Sequence, residues 1–325
     1  MSHLIQHVLI AIVATFAALV AFSWYIAHRV TRAFRPEGRF VEIGGDRIHY
    51  VEYGDGPPIV FVHGLAGQLR NFAYLHLHQL ARRHRVILVD RPGAGFSTRG
   101  AHSQANIFAQ ARTIASFIEV LQLGQPVLVG HSLGGAISLA VGLNHPERVS
   151  RLALIAPLTH PESTPPGPFR ALLLPSPLVR RFVSWTLAIP LTILTGRKAV
   201  VAVFAPEAVP KNFPVKGGGL LGLRPSSFYA TSTDLISVPE DLPAMEQRYA
   251  SLTMPVDVLY GRDDRILNWR NHGEALAQKS PRVRLKVVEG GHMLPVTMPD
   301  ATTDWIAEVA AAIVDADPVA QKAEH

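Results

Sequence analysis

From residue 39 onward the apolar and polar positions fall into a repeating pattern. Short apolar runs at 39–43, 47–53, 58–62, 85–89, 126–129, 151–155, 256–260 and 283–288 predict strands. The first two meet at Gly44-Gly45, a hairpin-type turn. Helical spacing marks 105–121, where Ile107, Ile114, Phe117, Ile118 and Leu121 share one face. Further helices are predicted over 72–83, 133–143, 269–278 and 303–314. Strand–helix alternation of this kind implies a mostly parallel sheet covered by helices on both faces. The rhythm fails between 160 and 252. Prolines cluster there (Pro161, Pro165, Pro166, Pro168, Pro175, Pro177) and an apolar helical piece at 178–195 intervenes. This stretch reads as an insertion between two strands, a helical cap or lid. The tail 317–325 reads as disordered, and no internal repeat is visible.

The N-terminus follows a different pattern. Val8 to Ala27 carries no charged side chain. As a helix it reaches roughly 30 Å, the thickness of a hydrocarbon core. Trp24 and Tyr25 lie at its end, where interfacial aromatics sit. A cleaved signal peptide fits less well: the leader has no Lys or Arg, the apolar run is long, and no small-x-small cleavage site follows. The expected organisation is therefore a transmembrane anchor at 1–28 and a basic linker at 29–38. A core at 39–159 and 253–316 carries the cap at 160–252. Arg29, Arg32, Arg35 and Arg39 follow the span and no basic residue other than histidine precedes it. The positive-inside rule then places the long C-terminal part in the cytoplasm.

Composition narrows the chemistry. Apolar residues make up 48% of the chain and charged ones 17%. There is no cysteine, which excludes thiolate nucleophiles, thiolate metal sites and disulfides. The net charge of +6 reads as a solvated basic surface, and the part of it clustered just after the apolar segment suits anionic lipid head groups. No long basic block or aromatic-interleaved stripe points to nucleic acid. Gly93-Ala94-Gly95 lacks the third glycine of a dinucleotide fingerprint, and Lys216-Gly217-Gly218-Gly219 is no phosphate loop. His76 and His78 would point to different helix faces, so no metal and no cofactor is expected. Oligomeric state is left open.

The candidate chemistry starts at Gly130-His131-Ser132-Leu133-Gly134, between a predicted strand and a predicted helix. A serine flanked by glycines in that position reads as a nucleophile elbow. A serine hydroxyl needs a histidine base, oriented by a carboxylate. The strand at 256–260 runs into Gly261-Arg262-Asp263-Asp264, and the strand at 283–288 into Gly290-Gly291-His292. Catalytic groups gather at the C-terminal strand ends of open α/β sheets. Ser132, Asp264 and His292 are thus the candidate triad, with Asp263 the rival carboxylate. The loop His63-Gly64-Leu65-Ala66-Gly67 follows another strand and offers backbone N–H groups for an oxyanion. His63 is expected to order that loop, His131 to neighbour the elbow, and Asp90 to fix the turn after it.

Together, His63-Gly64, residues 90–97 (DRPGAGFS), Gly130-His131-Ser132-Leu133-Gly134-Gly135, Gly261-Arg262-Asp263-Asp264 and Gly291-His292 resemble the α/β-hydrolase superfamily. Within it the chain is similar to the branch of haloperoxidase-like esterases, epoxide hydrolases and dehalogenases. The resemblance implies an eight-stranded sheet with a cap after strand six. It implies Ser132, Asp264 and His292 as triad, the amides of Leu65 and Leu133 as oxyanion hole, and Gly64, Gly130 and Gly134 in support. Epoxide hydrolases and haloalkane dehalogenases carry an aspartate in place of Ser132, which disfavours those reactions. Met293 follows His292 where carbon–carbon bond hydrolases often have tryptophan. The expectation is a membrane-anchored serine hydrolase acting on a small-molecule carboxylic ester, with a hydrophobic acyl group. Carbon–carbon hydrolysis, perhydrolysis or acyl transfer on the same triad, and a non-catalytic binding protein, are the alternatives.

Overall fold

A computed structural model describes residues 2–314; the tail at 317–325 lies outside the described residues. Eight strands form one sheet in the order β1-β2-β4-β3-β5-β6-β7-β8. They are β1 (Arg39–Ile43), β2 (Asp46–Tyr53), β3 (Pro58–Val62), β4 (Arg85–Val89), β5 (Val127–His131), β6 (Arg151–Ile155), β7 (Val256–Gly261) and β8 (Val283–Val288). β2 pairs antiparallel with β1 and β4, and every other neighbour is parallel. The hairpin between β1 and β2 turns at Gly44 and Gly45, both with positive φ (56° and 90°), as a two-residue turn matching strand twist requires.

The strands are apolar on both faces because both are covered. Val60, Val62, Ile87, Val89, Leu128 and Leu154 face one cluster, while Ile59, Phe61, Val86, Leu88, Val129 and Ile155 face the other. The first cluster is closed by α3 (Ile107–Val120) and α4 (Leu133–Asn144), the second by α12 (Pro299–Val314) and the turns around Phe72. Each buried Leu, Ile, Val or Phe contributes about 1.5–3 kcal/mol.

Three predicted helices differ. Residues 72–83 do not form one helix: a 3-10 turn spans Leu69–Phe72 and a single helical turn, α2, spans Leu77–Leu80. Leu75, Leu77 and Leu80 are buried from separate turns, so tertiary packing sets their spacing. The piece at 178–195 is two helices, α5 (Pro177–Trp185) and α6 (Ala188–Phe204), bent by 82°. The helix at 269–278 opens with a π turn at Arg270–Glu274 before α10 (Ala275–Lys279). Between β6 and β7 the chain also forms α7 (Phe213–Lys216), α8 (Pro225–Ser237) and α9 (Leu242–Glu246), and α11 (Leu294–Thr297) precedes α12.

The N-terminal helix α1 runs from Ser2 to Ala33, so Arg29 and Arg32 are helical. It is long and apolar enough over His3–Ala33 to span a membrane. Its last third packs on the body: Val30 and Phe34 join Leu221, with Ile26 and Phe96 beside them.

Candidate active site

Ser132 joins β5 to α4 with φ 56° and ψ −119°, a backbone that a serine holds only where its surroundings over-determine it. They do so here. The Ser132 N–H donates to the Ile155 carbonyl at 3.0 Å, and its own carbonyl accepts from Gly135, Ala136 and Leu158 at 2.9, 3.3 and 3.1 Å. A Cβ on Gly130 would lie 2.5 Å from the Gly134 carbonyl oxygen, and one on Gly134 would lie 2.1 Å from that of Val62. The glycine spacing is therefore a steric requirement of the turn.

β7 and β8 end beside this turn. His292 Nε2 is 3.0 Å from Ser132 Oγ, and His292 Nδ1 is 2.8 Å from Asp264 Oδ2. The other Asp264 oxygen accepts from the Ile266 and Leu267 amides at 2.7 and 2.9 Å. That leaves the carboxylate, 0% exposed, in one orientation, with Nδ1–H donating to it and Nε2 free to accept the serine proton. Asp263 is exposed and its amide bonds to the Gly290 carbonyl. Of the two adjacent acids, Asp264 is thus the one whose carboxylate lies within hydrogen-bond distance of the imidazole.

The loop after β3 lies against the serine. A Cβ on Gly64 would lie 2.9 Å from Ser132 Cβ. Leu133 opens α4, so its N–H has no partner within the helix, and it stands beside the helix's positive end. His63 is fully buried. Its Nε2 accepts from the Arg91 amide at 3.0 Å, so Nδ1–H donates to the Gly64 carbonyl at 2.9 Å. Burial, with Arg91 nearby, pushes the His63 ring down to about 3, so it is neutral. His131 behaves alike: its Nε2–H donates to the His292 carbonyl at 3.0 Å, and burial lowers it to about 3. Asp90 accepts from the Leu69 and Phe96 amides at 2.8 and 2.9 Å and pairs with His49, which holds the turn that follows it.

Three further residues touch the site, each through partners far away along the chain or in the segment between β6 and β7. Arg91 donates from Nε to the His63 carbonyl and from Nη2 to the Gly64 carbonyl, both at 2.9 Å. Its Nη1 is 2.8 Å from Asp234 Oδ2 on α8. Glu207, after α6, accepts from the Gly291 amide at 2.9 Å. Met293 is buried with Phe204 and Phe213, so the position next to His292 packs against the segment between β6 and β7. Among the described residues no cluster of three or more His, Asp or Glu is placed to hold a metal ion.

The family model for the alpha/beta hydrolase fold matches residues 57–297, a stretch holding Ser132, Asp264, His292 and the loop after β3. The chain belongs to the α/β-hydrolase fold family. Among curated relatives, the dihydrolipoyllysine-residue acetyltransferase component of the acetoin cleaving system of Pseudomonas putida is 37% identical over 37% of this chain and 33% of its own length. The chain thus matches less than two thirds of that relative. A 2-hydroxy-6-oxononadienedioate/2-hydroxy-6-oxononatrienedioate hydrolase of Burkholderia vietnamiensis is 29% identical over 68% of this chain and 76% of its own length. Among solved structures, a membrane phospholipase A superposes with a TM-score of 0.66 at 20% identity, covering 96% of this chain and 99% of that one. The eight-stranded sheet and its helices are those of an α/β-hydrolase.

Proposed function

We propose that the protein is a membrane-anchored serine hydrolase that cleaves carboxylic esters. The observation that carries this reading is the hydrogen-bonded series Asp264–His292–Ser132, at 2.8 and 3.0 Å. His292 Nε2 takes the Ser132 proton as Oγ attacks the ester carbonyl. The N–H groups of Leu65 and Leu133 hold the oxyanion. His292 then gives its proton to the departing alcohol, leaving an acyl-serine. Water loses a proton to His292 as it attacks the acyl carbon, the bond to Oγ breaks, and His292 returns that proton to Ser132 Oγ as the acid leaves, while Asp264 keeps the imidazole oriented. Residues 160–252 serve as the cap over this site, on the core 39–159 and 253–316. α1 crosses the bilayer through Val8 to Ala27. The arginines after it favour a cytoplasmic catalytic part, which a C-terminal reporter fusion tests.

A fluorophosphonate probe should label the wild type and not Ser132→Ala, and esters of increasing acyl length should be turned over. Unlabelled, folded wild-type protein overturns the reading in favour of a binding protein. The Burkholderia relative, a hydrolase of a 2-hydroxy-6-oxo dienedioate by name, supports a second reading, carbon–carbon hydrolysis on the same residues. A vinylogous diketone assayed beside the esters separates the two.

A further inference from the structure

Helix α5 is built inside out. Arg180 and Ser184 are buried, at 5% and 1% exposure, while Leu178 is 80% exposed and Phe182 47%. A helix at a water-facing surface does the reverse. α6 continues the same face, with Leu191, Ile193 and Leu194 exposed at 51%, 47% and 76%. Exposed apolar surface on this scale marks a partner and is seldom left to water.

Charge identifies the partner. Residues 163–206 contain no Asp or Glu and five basic side chains, Arg170, Arg180, Arg181, Arg197 and Lys198. Soluble surface helices mix both signs. A basic, acid-free, apolar face suits anionic lipid head groups above acyl chains.

Depth gives an independent constraint. The Phe16 and Phe182 rings meet with centroids 4.6 Å apart. Phe16 lies eight residues before Trp24, roughly 12 Å along a helix. A hydrocarbon core is about 30 Å thick. With Trp24 at the interface, Phe16 lies well inside the core, and the α5 face that touches it cannot remain in water.

We infer that the apolar face of α5 and α6 is immersed in the bilayer leaflet on the catalytic side, with Arg181, Arg197 and Lys198 reaching back to anionic head groups. The inference rests on the membrane-anchor reading above. It makes the segment over the active site a lipid-embedded surface. α6 ends next to Glu207, which binds the Gly291 amide, so the immersed face is one helix away from the histidine loop.

The natural chain has no cysteine, so single cysteines report without background. Full-length Leu178→Cys, Leu194→Cys, Val13→Cys and Glu119→Cys are reconstituted in phosphatidylethanolamine–phosphatidylglycerol vesicles. Each is probed with a water-soluble maleimide, and separately by quenching of an attached fluorophore by nitroxide lipids. Val13 reports the anchor, and Glu119 reports water and the outward-facing fraction. The expected result is labelling at 178 and 194 about tenfold or more slower than at 119, with lipid quenching comparable to that at 13. Protection at 13 with fast labelling at 178 and 194 overturns this inference and leaves the anchor standing. Fast labelling at all four positions sinks the anchor and the inference together. Fast labelling at 13 overturns the anchor and with it the depth on which this inference rests, whatever is read at 178 and 194. Protection at 178 and 194 without lipid quenching also overturns the inference, because a second protein copy then covers the face.

Discussion

Removing either half of the Arg91–Asp234 pair should damage the protein in different ways. Both side chains are almost fully buried, at 1% and 3% exposure. Asp234 also meets Arg99 at 2.5 Å. Asp234→Leu therefore strands one guanidinium that cannot reach water, next to a second one. Breaking such a pair costs about 3–5 kcal/mol, against a total stability of about 5–15 kcal/mol. Arg91→Met leaves Asp234 paired with Arg99 but takes donors from the carbonyls of His63 and Gly64 and from Gln110, which Arg91 reaches at 2.9, 2.9 and 2.6 Å. The loop carrying Leu65 loses its fastening, and a displacement of about 1 Å costs on the order of 100-fold in rate.

The two orders should therefore differ. In urea titrations Asp234→Leu is the less stable of these two single variants. In ester turnover Arg91→Met is the slower enzyme, because in Asp234→Leu the guanidinium still holds both carbonyls. The double variant Arg91→Met/Asp234→Leu should recover at least about 1 kcal/mol relative to the sum of the singles while staying as slow as Arg91→Met. Additive losses within about 0.5 kcal/mol, or full kcat in folded Arg91→Met, would refute the reasoning.

Asp264→Asn should lower kcat by about 10⁴ with unchanged thermal unfolding; equal loss in Asp263→Asn would move the acid role. Gly134→Ala places a Cβ 2.1 Å from the Val62 carbonyl oxygen and should yield little folded protein, as read by circular dichroism. Glu207→Ala frees the Gly291 amide and should lower kcat about tenfold, whereas Glu207→Gln, which still accepts that N–H, should recover most of it. His63 and His131, each held down to about 3 in the fold, bind fewer protons than in the unfolded chain at about 6.5. Their stabilisation is complete above about pH 6.5 and is lost toward pH 3, at up to about 1.4 kcal/mol per unit for each ring. Urea midpoints measured across that range check the slope.

All eight strands could be read from the chain because the central ones are covered on both faces. A run such as Pro58–Val62 must then be apolar throughout, which is a loud local signal. The elbow was legible for a similar reason: Gly130 and Gly134 are dictated by contacts within a few residues and one neighbouring strand. Asp263 and Asp264 are adjacent and alike, and only the turn geometry that points one inward distinguishes them. The short turns at 69–80 differ from one helix because Leu75, Leu77 and Leu80 are buried from separate turns by tertiary contact, which no local pattern announces. Arg91 and Asp234, 143 residues apart, carry no mutual sequence signal, although an arginine inside a glycine-rich turn at a strand end was itself a clue.

The segment between β6 and β7 divides its charge by direction. Its acid-free part, 163–206, carries the apolar side chains of α5 and α6 outward. Three of the acids flanking that part turn toward the core. Glu162 meets the buried His272 at 2.7 Å, Glu207 holds the Gly291 amide, and Asp234 holds the guanidinium that fastens His63 and Gly64. Carboxylates placed outward would be repelled by anionic lipid, and placed inward they find donors that need them. One segment can thus hold both the histidine loop and the loop of Leu65 while presenting a lipid-compatible exterior. A force that shifts α6 at the membrane is one helix length from the backbone of His292. Swapping the exposed leucines of α6 for serine should therefore change vesicle binding and turnover of a bilayer-dissolved ester together, and leave turnover of a short water-soluble ester as it was.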